Sequence, residues 1–126
     1  MQRKSVPKTI CLVDDEKGVL EELGLWLQEF GYRVKAFNNG FDALKAVVES
    51  PPDLILLDLM MPGIDGFEVL RELKRNQKTC NIPVVLLTAR PESEAIMKAQ
   101  QLRAADYVIK PFNPDELLSV VERCRS

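Results

Sequence analysis

At 126 residues the chain has the size of one domain and enough length to bury a core, and its 17 basic and 19 acidic residues nearly cancel. That balance, with no long block of either sign, excludes a nucleic-acid footprint or a polybasic membrane patch, and no apolar run approaches the about twenty residues of a membrane span. Histidine is absent, which excludes a histidine triad, a histidine metal site and any phospho-histidine of the chain's own. The expectation is a soluble cytoplasmic protein with a leader over residues 1–8, lacking a signal-peptide apolar core, and one domain over residues 9–124. Three cysteines, Cys11, Cys80 and Cys124, are odd in number and not closely paired, so they read as ordinary thiols of a reducing compartment, Cys11 within the core.

In chain order, Thr9 to Val13 is a short apolar strand ending on Asp14-Asp15-Glu16. Val19, Leu23, Trp26, Leu27 and Phe30 then recur at helical spacing, and Gly31 is a helix stop. Tyr32 to Phe37 predicts a second strand, and Asn38-Asn39-Gly40 opens a helix whose apolar face is Phe41, Leu44, Val47 and Val48. Ser50-Pro51-Pro52 ends it. An unbroken apolar run from Leu54 to Leu57 has the character of a strand buried on both faces, and it ends on a carboxylate, Asp58, before the turn pair Pro62-Gly63. Gly66 precedes a third helix with Phe67, Val69, Leu70 and Leu73. Ile82 to Leu87 is a fourth strand, with a proline tolerated near its start, and it runs out onto Thr88-Ala89. A fourth helix is predicted from about Glu92 to Leu102, with Ala95, Ile96, Ala99 and Leu102 as its inner stripe. Tyr107 to Ile109 is the core of a fifth strand ending at Lys110-Pro111. Asn113 caps a last helix with Pro114 in its first turn, Glu116 three residues after the cap, and Leu117, Leu118, Val120 and Val121 inward.

Five strand–helix alternations predict an α/β fold: a parallel sheet in the flavodoxin-like doubly wound order 2-1-3-4-5, with helices on both faces and right-handed crossovers. Strands one and three are then neighbours, so Asp14, Asp15 and Asp58 surround one crevice, with Thr88 and Lys110 on the same rim. Three close carboxylates repel; a pair at about 4 Å costs on the order of 4 kcal/mol in a partly screened protein environment. An all-oxygen site with that charge suits Mg2+. Lys110 can neutralise part of the charge and Thr88 offers a hydroxyl donor, so a carboxylate here has what it needs to accept a phosphoryl group.

These residues carry a family resemblance. Val13-Asp14-Asp15-Glu16, Leu57-Asp58-Leu59-Met60-Met61-Pro62-Gly63-Ile64-Asp65-Gly66, Leu87-Thr88-Ala89 and Tyr107-Val108-Ile109-Lys110-Pro111-Phe112 resemble, in order and at strand ends, the signatures of receiver domains of two-component response regulators. The resemblance covers nearly the whole chain. It implies that Asp58 is the phospho-acceptor, served by a sensor histidine kinase or a histidine phosphotransferase. It implies that Asp15, Asp58 and the Met60 carbonyl ligate Mg2+, with Asp14 acting mainly through metal-bound water. Lys110 would contact the phosphoryl oxygens, Thr88 would swing toward them, Tyr107 would turn inward behind it, and the Lys110-Pro111 bond would be cis. The output domain or partner is not specified by the sequence, and pairing of copies through the fourth and fifth helices stays open.

Two places depart from the common pattern. Arg103 stands where many receivers end the fourth helix with glycine, at a steric cost if the backbone turns left-handed there. Met60 and Arg90 occupy positions that tune loss of the phosphoryl group in the family, and bulky Met60 is expected to screen it. Blander roles stand beside these: Asp14 and Asp15 as caps of the first helix, Thr88 as a cap of the fourth, Lys110 as a solvated lysine, Tyr107 as a half-buried strand aromatic and Trp26 as core. Two other functions fit less well. A phosphate-independent interaction module would not need all the side chains present, and a Mg2+-dependent phosphohydrolase commonly has a second carboxylate two residues after its aspartate, where this chain has Met60.

Overall fold

A computed structural model of the chain describes residues 8–61, 63–89 and 93–124. Strands β1 (Thr9–Val13), β2 (Arg33–Phe37), β3 (Leu54–Asp58), β4 (Val84–Thr88) and β5 (Asp106–Ile109) alternate with helices α1 (Lys17–Glu29), α2 (Gly40–Glu49), α3 (Gly66–Arg75), α4 (Ser93–Gln101) and α5 (Pro114–Cys124). The sheet is parallel throughout, in the order β2-β1-β3-β4-β5, which is the flavodoxin-like arrangement expected from the alternation.

The sheet has two covered faces, and the period-two geometry of a strand sorts its side chains between them. Cys11, Val13, Ile55, Leu57, Val84 and Leu86 pack with residues of α2, α3 and α4 on one side. Ile10, Leu12, Leu54, Leu56, Val85 and Leu87 pack with Leu23 and Leu27 of α1 and Leu117 and Val121 of α5 on the other. The central strands β3 and β4 are buried at every position, which is why they read as continuous apolar runs. Each such Leu or Ile contributes about 1.5–3 kcal/mol by leaving water. At the edge, β2 leaves Arg33, Lys35 and Ala36 exposed.

Helix starts follow the local chemistry. Asn39, Asp65 and Asn113 each accept a hydrogen bond from the amide three residues on, at 2.9, 2.9 and 2.8 Å. The ends of α1 and α4 share one motif. At the first, Tyr32 N–H donates to Leu27 O and Gly31 N–H to Gln28 O, with Gly31 at φ 95°. At the second, Ala104 N–H donates to Ala99 O and Arg103 N–H to Gln100 O, with Arg103 at φ 61°. Arginine thus adopts the left-handed turn that glycine takes in α1.

Some expected boundaries and core positions shift. Pro83 accepts from Ile55 N–H at 3.0 Å but has no N–H to return, so β4 begins at Val84 rather than Ile82. Phe30 and Phe41, expected on inner faces, are 46% and 66% exposed. Phe30 falls past the last turn of α1, and Phe41 is rotated about 100° from the Gly40–Ala43–Val47 stripe that α2 buries. Glu92 lies outside the described residues. No helix among the described residues is long and apolar enough to cross a membrane.

Candidate functional site

The register sets Val13 beside Leu57 and Asp58 beside Leu87, so Asp14 and Asp58 leave neighbouring strands at one rim. Asp14 is fully buried, and both its oxygens are engaged: Oδ1 accepts from Glu16 N–H at 3.0 Å and Oδ2 from the Lys110 ammonium at 2.8 Å. That ammonium lies 3.7 Å from Asp58 Oδ1 and 3.8 Å from Glu16 Oε1. Lys110 is itself positioned by its amide, which donates to Thr88 O at 2.7 Å; the Lys110–Pro111 bond that follows is cis. Residues 96 apart in sequence therefore share a single hydrogen bond at the centre of the site.

Asp58 is 3% exposed, and its Oδ1 accepts from Met60 N–H at 3.2 Å. Burial is the main force on its carboxyl and raises its pKa from 3.8 to about 7; the Asp14 charge adds to the rise, the Met60 N–H and Lys110 oppose it, and Asp15 adds a smaller increment. For Lys110 burial alone would lower the pKa, but the hydrogen bond to Asp14 and the charges of Asp14, Asp58 and Glu16 outweigh it and leave the ammonium more strongly protonated than usual. One lysine among these acids leaves an excess of negative charge.

The loop after β3 is pressed onto the site by Gly66. Its N–H donates to Leu59 O at 3.0 Å, and a Cβ there would lie 2.5 Å from Asp58 O and 2.7 Å from Leu59 Cα. Only glycine lets α3 start so close to the strand end. Thr88, 3% exposed, and Tyr107 face a common small void of about 10 Å³ beneath α4, walled also by Leu59, Leu86, Ile96 and Ala99. Beside Lys110 opens a groove of about 380 Å³ lined by Glu16, Val19, Glu22, Trp26, Pro111 and Phe112, among others.

Asp14, Lys110 and Asp58 meet as the sequence led us to expect, and Asp15 joins through Asp14. Capping is different: the N-cap of α1 is Glu16, whose side chain makes no cap bond, and Asp14 serves the Glu16 amide just ahead of the helix. Glu16 was not singled out from sequence, yet Asp14, Asp15 and Glu16 each present a carboxylate oxygen within 4.8 Å of the others. The signal was there in the third consecutive acid, but an exposed N-cap glutamate usually faces solvent. Met60 is 56% exposed. Pro62 and Arg90 lie outside the described residues.

Hard oxygen donors at this spacing, with excess negative charge, fit Mg2+ rather than a soft metal. Two buried carboxylates, an ammonium and a threonine thus stand together at the carboxyl ends of the strands of a doubly wound parallel sheet. Residues 10–122 match the response regulator receiver domain, and the chain belongs to that family.

Among relatives, it is 41% identical over 114 residues to the phosphate regulon transcriptional regulatory protein PhoB of Pseudomonas aeruginosa, covering 90% of this chain and 50% of PhoB. The chain spans about half the length of the curated relatives it matches. The chemotaxis protein CheY4 of Vibrio cholerae superposes with a TM-score of 0.91 at 27% identity, over 94% of this chain and 99% of that one. The receiver domain of the sensor histidine kinase PA1611 from Pseudomonas aeruginosa, solved with a magnesium ion coordinated in its active site cleft, gives a TM-score of 0.87 at 28% identity, over 94% and 98% of the two chains. Membership of this family makes the chain a receiver of two-component signalling.

Proposed function

We propose that Asp58 of this cytoplasmic receiver accepts a phosphoryl group from a phospho-histidine on a sensor histidine kinase or histidine phosphotransferase, and that the modified domain changes the surface it offers to an output domain or partner. The observation that carries this reading is the convergence of Asp14, Asp58 and Glu16 on Lys110 within 3.8 Å. An Asp58 oxygen forms the new P–O bond as the P–N bond to the partner imidazole breaks, and the imidazole keeps the electron pair and takes up a proton. Lys110 meets the charge on the transferring oxygens, and the Thr88 hydroxyl donates to one of them. Asp15, Asp58 and the Met60 carbonyl would hold Mg2+, which when bound would supply charge neutralisation and orientation. Asp14, whose oxygens already accept from Lys110 and the Glu16 amide, would act on the ion mainly through metal-bound water. The groove beside Lys110 gives the partner's imidazole a way in, with Trp26 and Phe112 as apolar walls.

The chain modifies itself and slowly reverses the modification; it does not turn over free metabolites. Thr88 and Tyr107, sharing one void, are the switch pair. Incubation with Mg2+ and a small phosphodonor, followed by intact-mass measurement, is expected to add one phosphoryl group to the wild type and none to Asp58→Asn. An unmodified wild type, or a modified Asp58→Asn, would sink the reading.

A further inference from the structure

Helix α3 is packed more tightly against the sheet than the part of α4 over residues 95–101. The start of α3 is clamped through Gly66 to the backbone of Asp58 and Leu59, and its Val69, Leu70 and Leu73 are at most 1% exposed. By contrast, over residues 95–101 of α4 Ala99 is the one buried position; Ala95 and Ile96 are partly open and Met97 is 58% exposed. Small alanines against the sheet make few dispersion contacts, so displacing α4 forfeits little. Between the two helices, the Lys98 ammonium of α4 lies over the Phe67 ring of α3, 4.6 Å from its centroid. The void under α4, about 10 Å³, has room for about one water and not for an aromatic ring. Inward travel of Tyr107 toward Thr88 would press on α4, and displacement of α4 from the sheet would draw Lys98 away from a ring carried by the close-packed α3.

We propose that the Lys98–Phe67 contact is a latch that holds α4 in the unphosphorylated arrangement and so opposes occupation of the Asp58 site. This rests on Asp58 being the phospho-acceptor. A contact made in only one of two arrangements shifts the equilibrium between them, and releasing it raises the fraction competent to hold the phosphoryl group. Phe67 and Lys98 touch none of the reacting atoms, so the latch acts on the affinity of the site and not on its chemistry.

The test is titration with beryllofluoride, a phosphoryl mimic, at saturating Mg2+, followed calorimetrically for the wild type, Phe67→Leu, Lys98→Met, the double variant and Lys98→Arg. Each single variant is expected to bind about 2- to 5-fold more tightly, the size of an exposed cation–π contact. The double variant should gain no more than either single one, because both remove the same contact. Lys98→Arg keeps a cation over the ring and should bind as the wild type does. Wild-type affinity in both single variants, or additive gains in the double, overturns the latch while leaving Asp58 as acceptor. A wild type that neither binds beryllofluoride nor takes up phosphoryl from a donor overturns the reading of the site and the latch together.

Discussion

Asp58 is in tension with its surroundings, and the direction of its pKa shift makes the tension measurable. Its carboxyl is raised to about 7 in the folded chain, first by burial and then by Asp14, against about 3.9 when unfolded. Between those values the folded state binds more protons than the unfolded one, so its contribution to stability falls as pH rises from 4 and is lowest above 7. With Mg2+ removed by chelation, Asp58→Asn should stabilise the fold at pH 8, by up to about 4 kcal/mol since each of about three tenfold changes in proton affinity corresponds to about 1.36 kcal/mol, and by much less at pH 4. Urea unfolding at the two pH values checks this, and an equal effect at both would refute it. Met60 bears on the other side of the same carboxylate. Its amide holds Asp58 Oδ1 while its side chain stands largely exposed above the site. Replacing it by asparagine should admit and orient water and shorten the phospho-form lifetime several-fold, as followed by phosphate release; an unchanged lifetime would rule out screening by Met60.

What was legible at this scale was chemistry at strand ends: a charge that closes a buried apolar run has to meet water or a partner at the sheet rim, so Asp14, Asp58 and Lys110 stood out. What was not legible was orientation. Glu16 turns toward Lys110 instead of capping α1, and Asp14 splits its oxygens between a local amide and a lysine 96 residues away. Those choices are made by tertiary neighbours that no local pattern contains. The close approach of Gly66 to the Asp58 backbone belongs to the same class.

At the scale of elements, hydrophobic periodicity identified every helix but overstated its inner face at the ends, since apolar character alone does not say where a helix outruns the sheet. Phe30 is such a case, and Phe41 shows in addition that an apolar residue can lie off the buried stripe. Arg103 is the opposite: the sequence marked it as anomalous, and the backbone bears the anomaly out at φ 61°. A left-handed conformation costs a side-chain-bearing residue roughly 1–2 kcal/mol. Arg103 also lowers the pKa of Lys74, behind the larger effect of burial. Arg103→Gly should therefore raise stability, the gain being cut to about 0.5–1 kcal/mol by the greater freedom glycine restores to the unfolded chain. Thermal unfolding measures the difference, and a loss of stability would mean that the arginine side chain makes compensating contacts.

For the whole molecule, strand order was readable because alternation and the handedness of crossovers leave few topologies for five strand–helix units. That order makes the site possible by setting β1 against β3 and carrying β4 and β5 to the same rim. It also leaves β2 with one unpaired row of backbone groups, and there the exposed side chains include Arg33 and Lys35. A stray strand zipping onto this border would have to strip the hydration from an ammonium and bury it, so the charges act as a fence against runaway stacking between crowded molecules. Lys35→Val takes down part of that fence, and refolding at high concentration, watched by light scattering, should then turn cloudy where the parent chain stays clear.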